Sequence, residues 1–229
     1  MDNPTLVTLH VWRVRRRSIA GALLRMAREP GRLRALPGVR FAKLLGTGTG
    51  TSFGLGDADP TRYAAIVSWG AGGDPGAVDA GWKRIAVGSA RVDLTPLTSR
   101  GHWSGTTPFG YPRGGKPDGT VLALTRARLR TRKVPTFWRA IPPVAAELAA
   151  APGLLARFGI GEAPVGWQGT VTVWRSTTDL TGFAYRQPEH RAVIARTPAD
   201  RWYAEELFAR FAVRGVSGDR EVLGWRAER

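Results

Sequence analysis

Few side chains in this sequence could do chemistry unaided. It holds three histidines and no cysteine, which excludes disulfides, cysteine-bound zinc, iron–sulfur clusters held by this chain and thiolate-ligated haem. No Ser-His-Asp arrangement stands in recognisable context, and there is no H-E-x-x-H run or acid pair at glycosidase spacing. Acid–base hydrolysis therefore lacks machinery. The remaining pattern is apolar, with nine Trp and eight Phe. An apolar pocket poor in ionisable groups points to a bound cofactor, or dioxygen itself, as the agent of the hard step.

The histidines differ in setting. His10 stands beside Trp12 in a strand-like run, where a core or edge histidine is the ordinary outcome. His102 lies in a Gly-rich connection and is expected to be exposed or held by a loop hydrogen bond. His190 follows Pro188 and Glu189, a pattern that opens helices. The helix dipole there disfavours imidazolium and keeps the ring neutral, as metal ligation requires. From the residues alone His190 stays open between a structural role and a ligand role.

Two basic clusters stand out: Arg15-Arg16-Arg17, and the alternating Arg126, Arg128, Arg130 and Arg132. Alternation puts the second set on one face of a strand and its extension. That face is either simply solvated or a partner for anions: a membrane surface, a nucleic acid or the carboxylates of a cofactor. The net charge is +16, carried mostly by Arg in an Ala- and Gly-rich chain, a pattern that compositional bias also produces. Without zinc-finger spacing, an RNP-like aromatic signature or a Lys-rich tail, no nucleic-acid partner is expected. The stretch Gly46-Thr47-Gly48-Thr49-Gly50-Thr51 looks like a phosphate cradle but lacks the Gly-Lys-Ser/Thr ending and the G-x-G-x-x-G spacing. A turn allowing close backbone approach accounts for it better.

The elements that would position these groups come twice. Phe41 to Gly48 is echoed by Leu155 to Gly161, and each echo keeps the same order. A strand opens each half (Leu6 to Val14; Val121 to Leu129), followed by a helix and the apolar-Gly-x-Gly segment. Next comes a strand ending in Trp69 or Trp174, then a helical stretch carrying Trp82 or Trp202. A last strand closes each half (Arg91 to Leu97; Phe208 to Gly215). Pro30-Gly31 is expected to break the first helix, and Pro142-Pro143 to kink or restart its counterpart. One repeat fits a ferredoxin-like β-α-β-β-α-β module. The predicted class is α+β, two tandem modules forming a fused dimeric α/β barrel. Residues 1–99 and 119–229 are the modules, and 100–118 is a Gly-, Pro- and aromatic-rich connection. Long ordered connections are usually functional. This one is expected to be ordered beside the pocket, with Trp103 and Phe109 turned inward.

No apolar run approaches the roughly 20 residues that span a bilayer. The first residues read as a strand and not a signal peptide, so the expected location is cytoplasmic.

Several blocks resemble the spheroidene monooxygenase family. They are Thr95-Pro96 with Ser99-Arg100-Gly101, Trp103-Ser104-Gly105, Thr107-Pro108-Phe109, and Leu124-Thr125-Arg126-Ala127 followed by Arg130. The second half adds Phe158 to Pro164, Thr172-Val173-Trp174, the Pro188-x-His190 pair, and Trp202 to Phe211. Gly-Ile-Gly-Glu and Glu-Glu-Leu-Phe-x-Arg-Phe are the most specific of these. The resemblance implies a monooxygenase acting on a hydrophobic, carotenoid-like substrate with haem b, dioxygen and a donor such as reduced ferredoxin, a peroxide being the alternative oxidant. It implies His190 as the iron ligand, Arg126, Arg128 and Arg130 as partners of the cofactor's carboxylates, and Trp103, Phe109 and Trp174 as pocket lining. It assigns no catalytic side chain. A greasy substrate adds peripheral membrane contact as an expectation. His102 departs from the family pattern, and the Arg-rich, Cys-free composition leaves room for a secondary-metabolite substrate. The alternatives are a cofactor-free oxygenase or ligand-binding protein of the same barrel class, and a basic nucleic-acid or membrane-surface binder.

Overall fold

A computed structural model of the chain describes residues 4, 6–51, 55–112, 114–115, 117, 119–162, 167–186 and 202–225. The α+β class holds: the described residues form eight strands and three α-helices. In chain order these are β1 (Leu6–Val14), α1 (Ile19–Arg34), β2 (Val39–Gly48), β3 (Ala58–Trp69), β4 (Ala86–Gly101) and β5 (Val121–Leu129). Then follow α2 (Val134–Ala150), β6 (Leu154–Gly161), β7 (Trp167–Trp174), α3 (Thr177–Arg186) and β8 (Tyr203–Gly218).

The strands close into one barrel in the order β1-β3-β2-β6-β7-β5-β8-β4. The first half contributes β4-β1-β3-β2 and the second β8-β5-β7-β6. They meet at a short β2–β6 seam and a long β4–β8 seam. The strands are apolar on both faces because both faces are covered. In β1, Val7, Leu9 and Val11 join the barrel interior, while Trp12 and Val14 join a cluster outside it.

Some elements differ from the sequence-based expectation. Helix α1 runs through Pro30 to Arg34, because Leu33 is buried and the Arg32 guanidinium donates to the carbonyls of Ala77 and Val78. Likewise α2 continues across Pro142-Pro143. The stretch before Trp82 is a 3-10 turn, Pro75–Gly81, and not an α-helix. The expected last strand from Phe208 lies within β8, but the helical stretch expected before it, carrying Trp202, is already strand from Tyr203. Leu207, Ala209 and Phe211 of β8 alternate into the barrel, and burial of every second side chain overrides the helical spacing of the larger apolar residues. The expected helix start at Pro188 to His190 lies outside the described residues.

The barrel interior is filled. Trp103 and Phe109, both fully buried, plug it from the connection after β4. Phe109 packs edge-on against Phe211, with ring centroids 4.9 Å apart. The Gly/Thr stretch at the end of β2 is closed by a side chain of this chain. The Asp57 carboxylate accepts from the Gly50 and Thr51 amides and from the Thr49 and Thr51 hydroxyls. Burial works to raise the Asp57 carboxyl, but these donors outweigh it and hold it below the usual carboxylate range. An internal anion thus occupies the donors that made the stretch look like a phosphate cradle.

Candidate active site

The two halves match through their strand registers. Leu6 stands opposite Trp69 in the first, and Val121 opposite Trp174 in the second. Counting along the ladders, Thr8, His10 and Trp12 correspond to Ala123, Thr125 and Ala127. Their partners Val67, Ala65 and Tyr63 correspond to Thr172, Thr170 and Gln168.

These differences decide where a ligand can go. In the first half the space between sheet and helix is full. The Trp12 and Trp82 rings stack 4.6 Å apart, and Tyr63 packs 5.1 Å from Trp82. The fully buried His10 has Nδ1 3.0 Å from Asp79 Oδ1 and Nε2 3.0 Å from Thr8 Oγ1, and Trp12 Nε1 donates to the same Asp79 oxygen at 2.8 Å. Burial raises the Asp79 carboxyl, yet His10 and Trp12 together hold it below the usual range. His10 is thereby a structural residue.

In the second half the same space is a cavity of about 700 Å³, within the range of small-molecule and cofactor sites. Small side chains form its floor: Ala123 and Thr125 of β5, Thr170 and Thr172 of β7. Leu148 of α2 and Leu180, Phe183, Ala184 and Tyr185 of α3 form its roof. Trp174 closes one end, its ring 5.3 Å from that of Phe183 and its Nε1 donating to Thr172 Oγ1 at 2.9 Å. The β4–β8 side carries the charge: Arg100, Arg210 and Glu206. Arg100 and Phe208 face each other across the ladder, with the guanidinium 5.0 Å from the ring centroid.

The expected site residues divide between this cavity and the barrel. Trp174 lines the cavity. Trp103 and Phe109 are turned inward as expected, but into the barrel, and neither belongs to the cavity lining. Arg126, Arg128 and Arg130 are also absent from that lining. Arg126 belongs to the set of β5 residues that faces the barrel, since Leu122 and Leu124 of the same set are in its interior. Arg128 and Arg130 are exposed, and Arg130 Nε donates to the Tyr203 carbonyl at 3.2 Å. The cations that reach the cavity, Arg100 and Arg210, lie on the neighbouring strands. Only the strand registers bring them there, although both stand within quoted family blocks, Arg100 beside Ser99 and Arg210 beside Phe211. His102 is exposed, its amide donating to the Glu206 carbonyl at 2.7 Å. His190 lies outside the described residues.

Arg126 has a different occupation. Its guanidinium, 2% exposed, donates to Glu162 at 2.7 Å and to Glu205, and lies 5.5 Å from the Trp103 ring centroid. Trp103 Nε1 donates to Glu162 at 2.8 Å, and Lys43 Nζ to the other Glu162 oxygen at 2.7 Å. Glu205 also accepts from the amides of Ser104 and Gly105. Burial would raise its carboxyl, but the Gly105 amide, Arg126 and the Ser104 amide hold it below the usual range. Two carboxylates and two cations thus fasten the plug to β2, β5, β8 and the end of β6.

Haem can be tested against the cavity itself. A flat ring suits a floor of Ala and Thr under an apolar roof, and its carboxylates suit Arg100 and Arg210 on one side. The residues present fit such a group. Among the described residues no group of three or more His, Cys, Asp or Glu could hold a metal ion.

No family model matches the chain. Spheroidene monooxygenase of Rhodobacter capsulatus is 32% identical over 190 residues, covering 80% of this chain and 78% of that protein. Spheroidene monooxygenase of Rubrivivax gelatinosus is 34% identical over 194 residues, covering 80% and 72%. Among solved structures, an aldoxime dehydratase shares the fold at a TM-score of 0.52 and 12% identity, over 91% of this chain and 80% of that one. At one-third identity over four-fifths of its length, the chain belongs to the spheroidene monooxygenase family.

Proposed function

We propose that the chain is a haem-dependent monooxygenase that oxidises a hydrophobic, carotenoid-like or secondary-metabolite substrate in the second-half cavity. The observation that carries this reading is the cavity itself, a small-residue floor under an apolar roof with two arginines on one side, in a chain of this family. We read the barrel as two ferredoxin-like modules, residues 1–99 and 119–229, fused through the connection 100–118.

His190 is the ligand we assign to the iron. It follows α3 by four positions in sequence, and the last turns of α3 roof the cavity. Arg100 and Arg210 would hold the cofactor's carboxylates in place of the Arg126 row. Haem b, when bound, would supply the activation of dioxygen, one atom entering the substrate and the other leaving as water with two protons from solvent and two electrons from a donor such as ferredoxin. The protein's own contribution is placement. Trp174, Phe183 and Leu148 exclude water and present apolar surface to a greasy substrate. Thr125, Thr170 and Thr172 set the depth of the floor, and with it the substrate carbon that faces the reactive side.

The test is the visible spectrum of the purified protein during haem titration. Wild type should take up haem with one strong violet band, and His190→Ala should lose the haem or change that band, with activity falling alongside. A wild-type protein that takes up no haem would overturn the reading in favour of a cofactor-free oxygenase. An unchanged spectrum in His190→Ala would remove His190 as the ligand.

A further inference from the structure

The outward face of α1 has no place in the cavity's chemistry. Its inward side is well used: Ala22 and Leu33 are fully buried in the first half's cluster, with Met26 packed against it. Arg25 and Arg32 are tied to the backbone of the 3-10 turn Pro75–Gly81. The other side carries Ala20, Leu23, Leu24, Ala27 and Gly31, all exposed and spaced at i, i+3, i+4, i+7 and i+11, a single apolar stripe. Leu23 is 57% exposed and Leu24 47%. They are the one adjacent pair among the large hydrophobic side chains exposed in the described residues. Single exposed leucines need no explanation, but a pair continued by small residues along a whole helix face does.

The charge around the stripe is of one sign. Arg15, Arg16 and Arg17 precede the helix, Arg28 and Arg34 flank it, and all five are exposed. The single acid of α1, Glu29, is engaged by Arg32 at 2.5 Å and is mostly buried. An apolar stripe with a cationic border is the arrangement of helices that lie in the plane of a membrane surface. A second copy of this chain is a poor occupant, since each copy brings a net charge of +16 and the same arginine border.

We infer that the outward face of α1, with Leu23 and Leu24 at its centre and Arg15, Arg16, Arg17, Arg28 and Arg34 around it, docks the protein on an anionic lipid bilayer.

The test is co-sedimentation of the full chain with vesicles, in about 0.15 M salt so that diffuse attraction is screened. One set is phosphatidylcholine with a quarter phosphatidylglycerol, the other phosphatidylcholine alone. Wild type should pellet with the anionic set and stay in solution with the neutral one. Leu23→Ser/Leu24→Ser should weaken binding on the order of tenfold, as should Arg16→Gln/Arg17→Gln. Both pairs are exposed, and unchanged thermal unfolding would show that the fold is kept. The control Arg132→Gln/Arg139→Gln removes the same charge beside α2 and should bind like wild type. The inference is overturned if wild type ignores anionic vesicles, if the leucine pair binds as tightly as wild type, or if the control loses as much as the α1 variants. It is overturned equally if the leucine pair only abolishes a dimer seen by light scattering without lipid.

Discussion

Gly46 lies directly across the β2–β6 ladder from Gly161. The two Gly-x-Gly segments that repeat in the sequence thus pair with each other, Gly46 to Gly48 running against Gly161 to Gly159, and form the whole of one seam between the halves. The other seam runs from Ala90–Gly101 against Leu207–Gly218. Four glycines in the shorter seam add backbone freedom but no side-chain packing. Amides of Thr47 and Ile160 should exchange with solvent on the order of tenfold faster than those of Val92 and Ala209, measured by native-state hydrogen exchange. Equal protection at both seams would contradict this.

Removing Arg126 strands the carboxylates of Glu162 and Glu205 and the Trp103 plug at once. Arg126→Met should lower stability by about 3–5 kcal/mol, the usual consequence of breaking a buried pair on one side. Lys43→Met, at the more exposed end of the same network, should lower it by about 1 kcal/mol or less. Urea unfolding distinguishes the two, and an Arg126→Met loss no larger than that of Lys43→Met would refute the account of the plug.

Asp57, Asp79 and Glu205 all have carboxyls held below their ordinary range in the folded protein. A lowered folded-state value means that the unfolded chain takes up protons first as pH falls. The stabilisation from these groups is complete above about pH 5 and is lost as pH drops through about 4 and below. The thermal midpoint should be level from neutral to about pH 5 and fall steeply under it. Glu205→Gln should start lower at neutral pH and fall less steeply in acid. An unchanged acid slope in that variant would show that Glu205 is not among the groups responsible.

The cavity exists because the second half places Thr125 where the first half places His10. Thr125→Trp should therefore refill it. Uptake of haem or an apolar probe should be abolished while thermal stability is kept, within about 1–3 kcal/mol for overpacking. Calorimetric binding with wild-type stoichiometry would show that the ligand sits elsewhere.

The sequence made much of the scaffold legible. The bounds of β1 and β5 follow from alternation, the ends of β3 and β7 from Trp69 and Trp174, and the blocks around Gly159 and Leu207 carry the family resemblance. Features that depend on distant partners were less visible. Arg126 looked like part of an exposed row because the carboxylates that draw it inside are 36 and 79 positions away. The start of β8 satisfied helical spacing as well as strand alternation, and only its neighbours β4 and β5 select the strand. The cavity depends on which member of a repeated pair is small. That contrast between Thr125 and His10, or Ala123 and Thr8, has meaning only once the registers are known.

Closing the sheet on itself pairs the outer strands of the two halves, β4 with β8 along most of their length and β2 with β6 at their glycine ends. Each half taken alone would expose two bare edges, β2 and β4 in the first, β6 and β8 in the second. Unpaired edges invite strand addition from other chains. Each half therefore masks the other's sticky borders, and a nick or truncation that freed one half would turn it into a template for self-association.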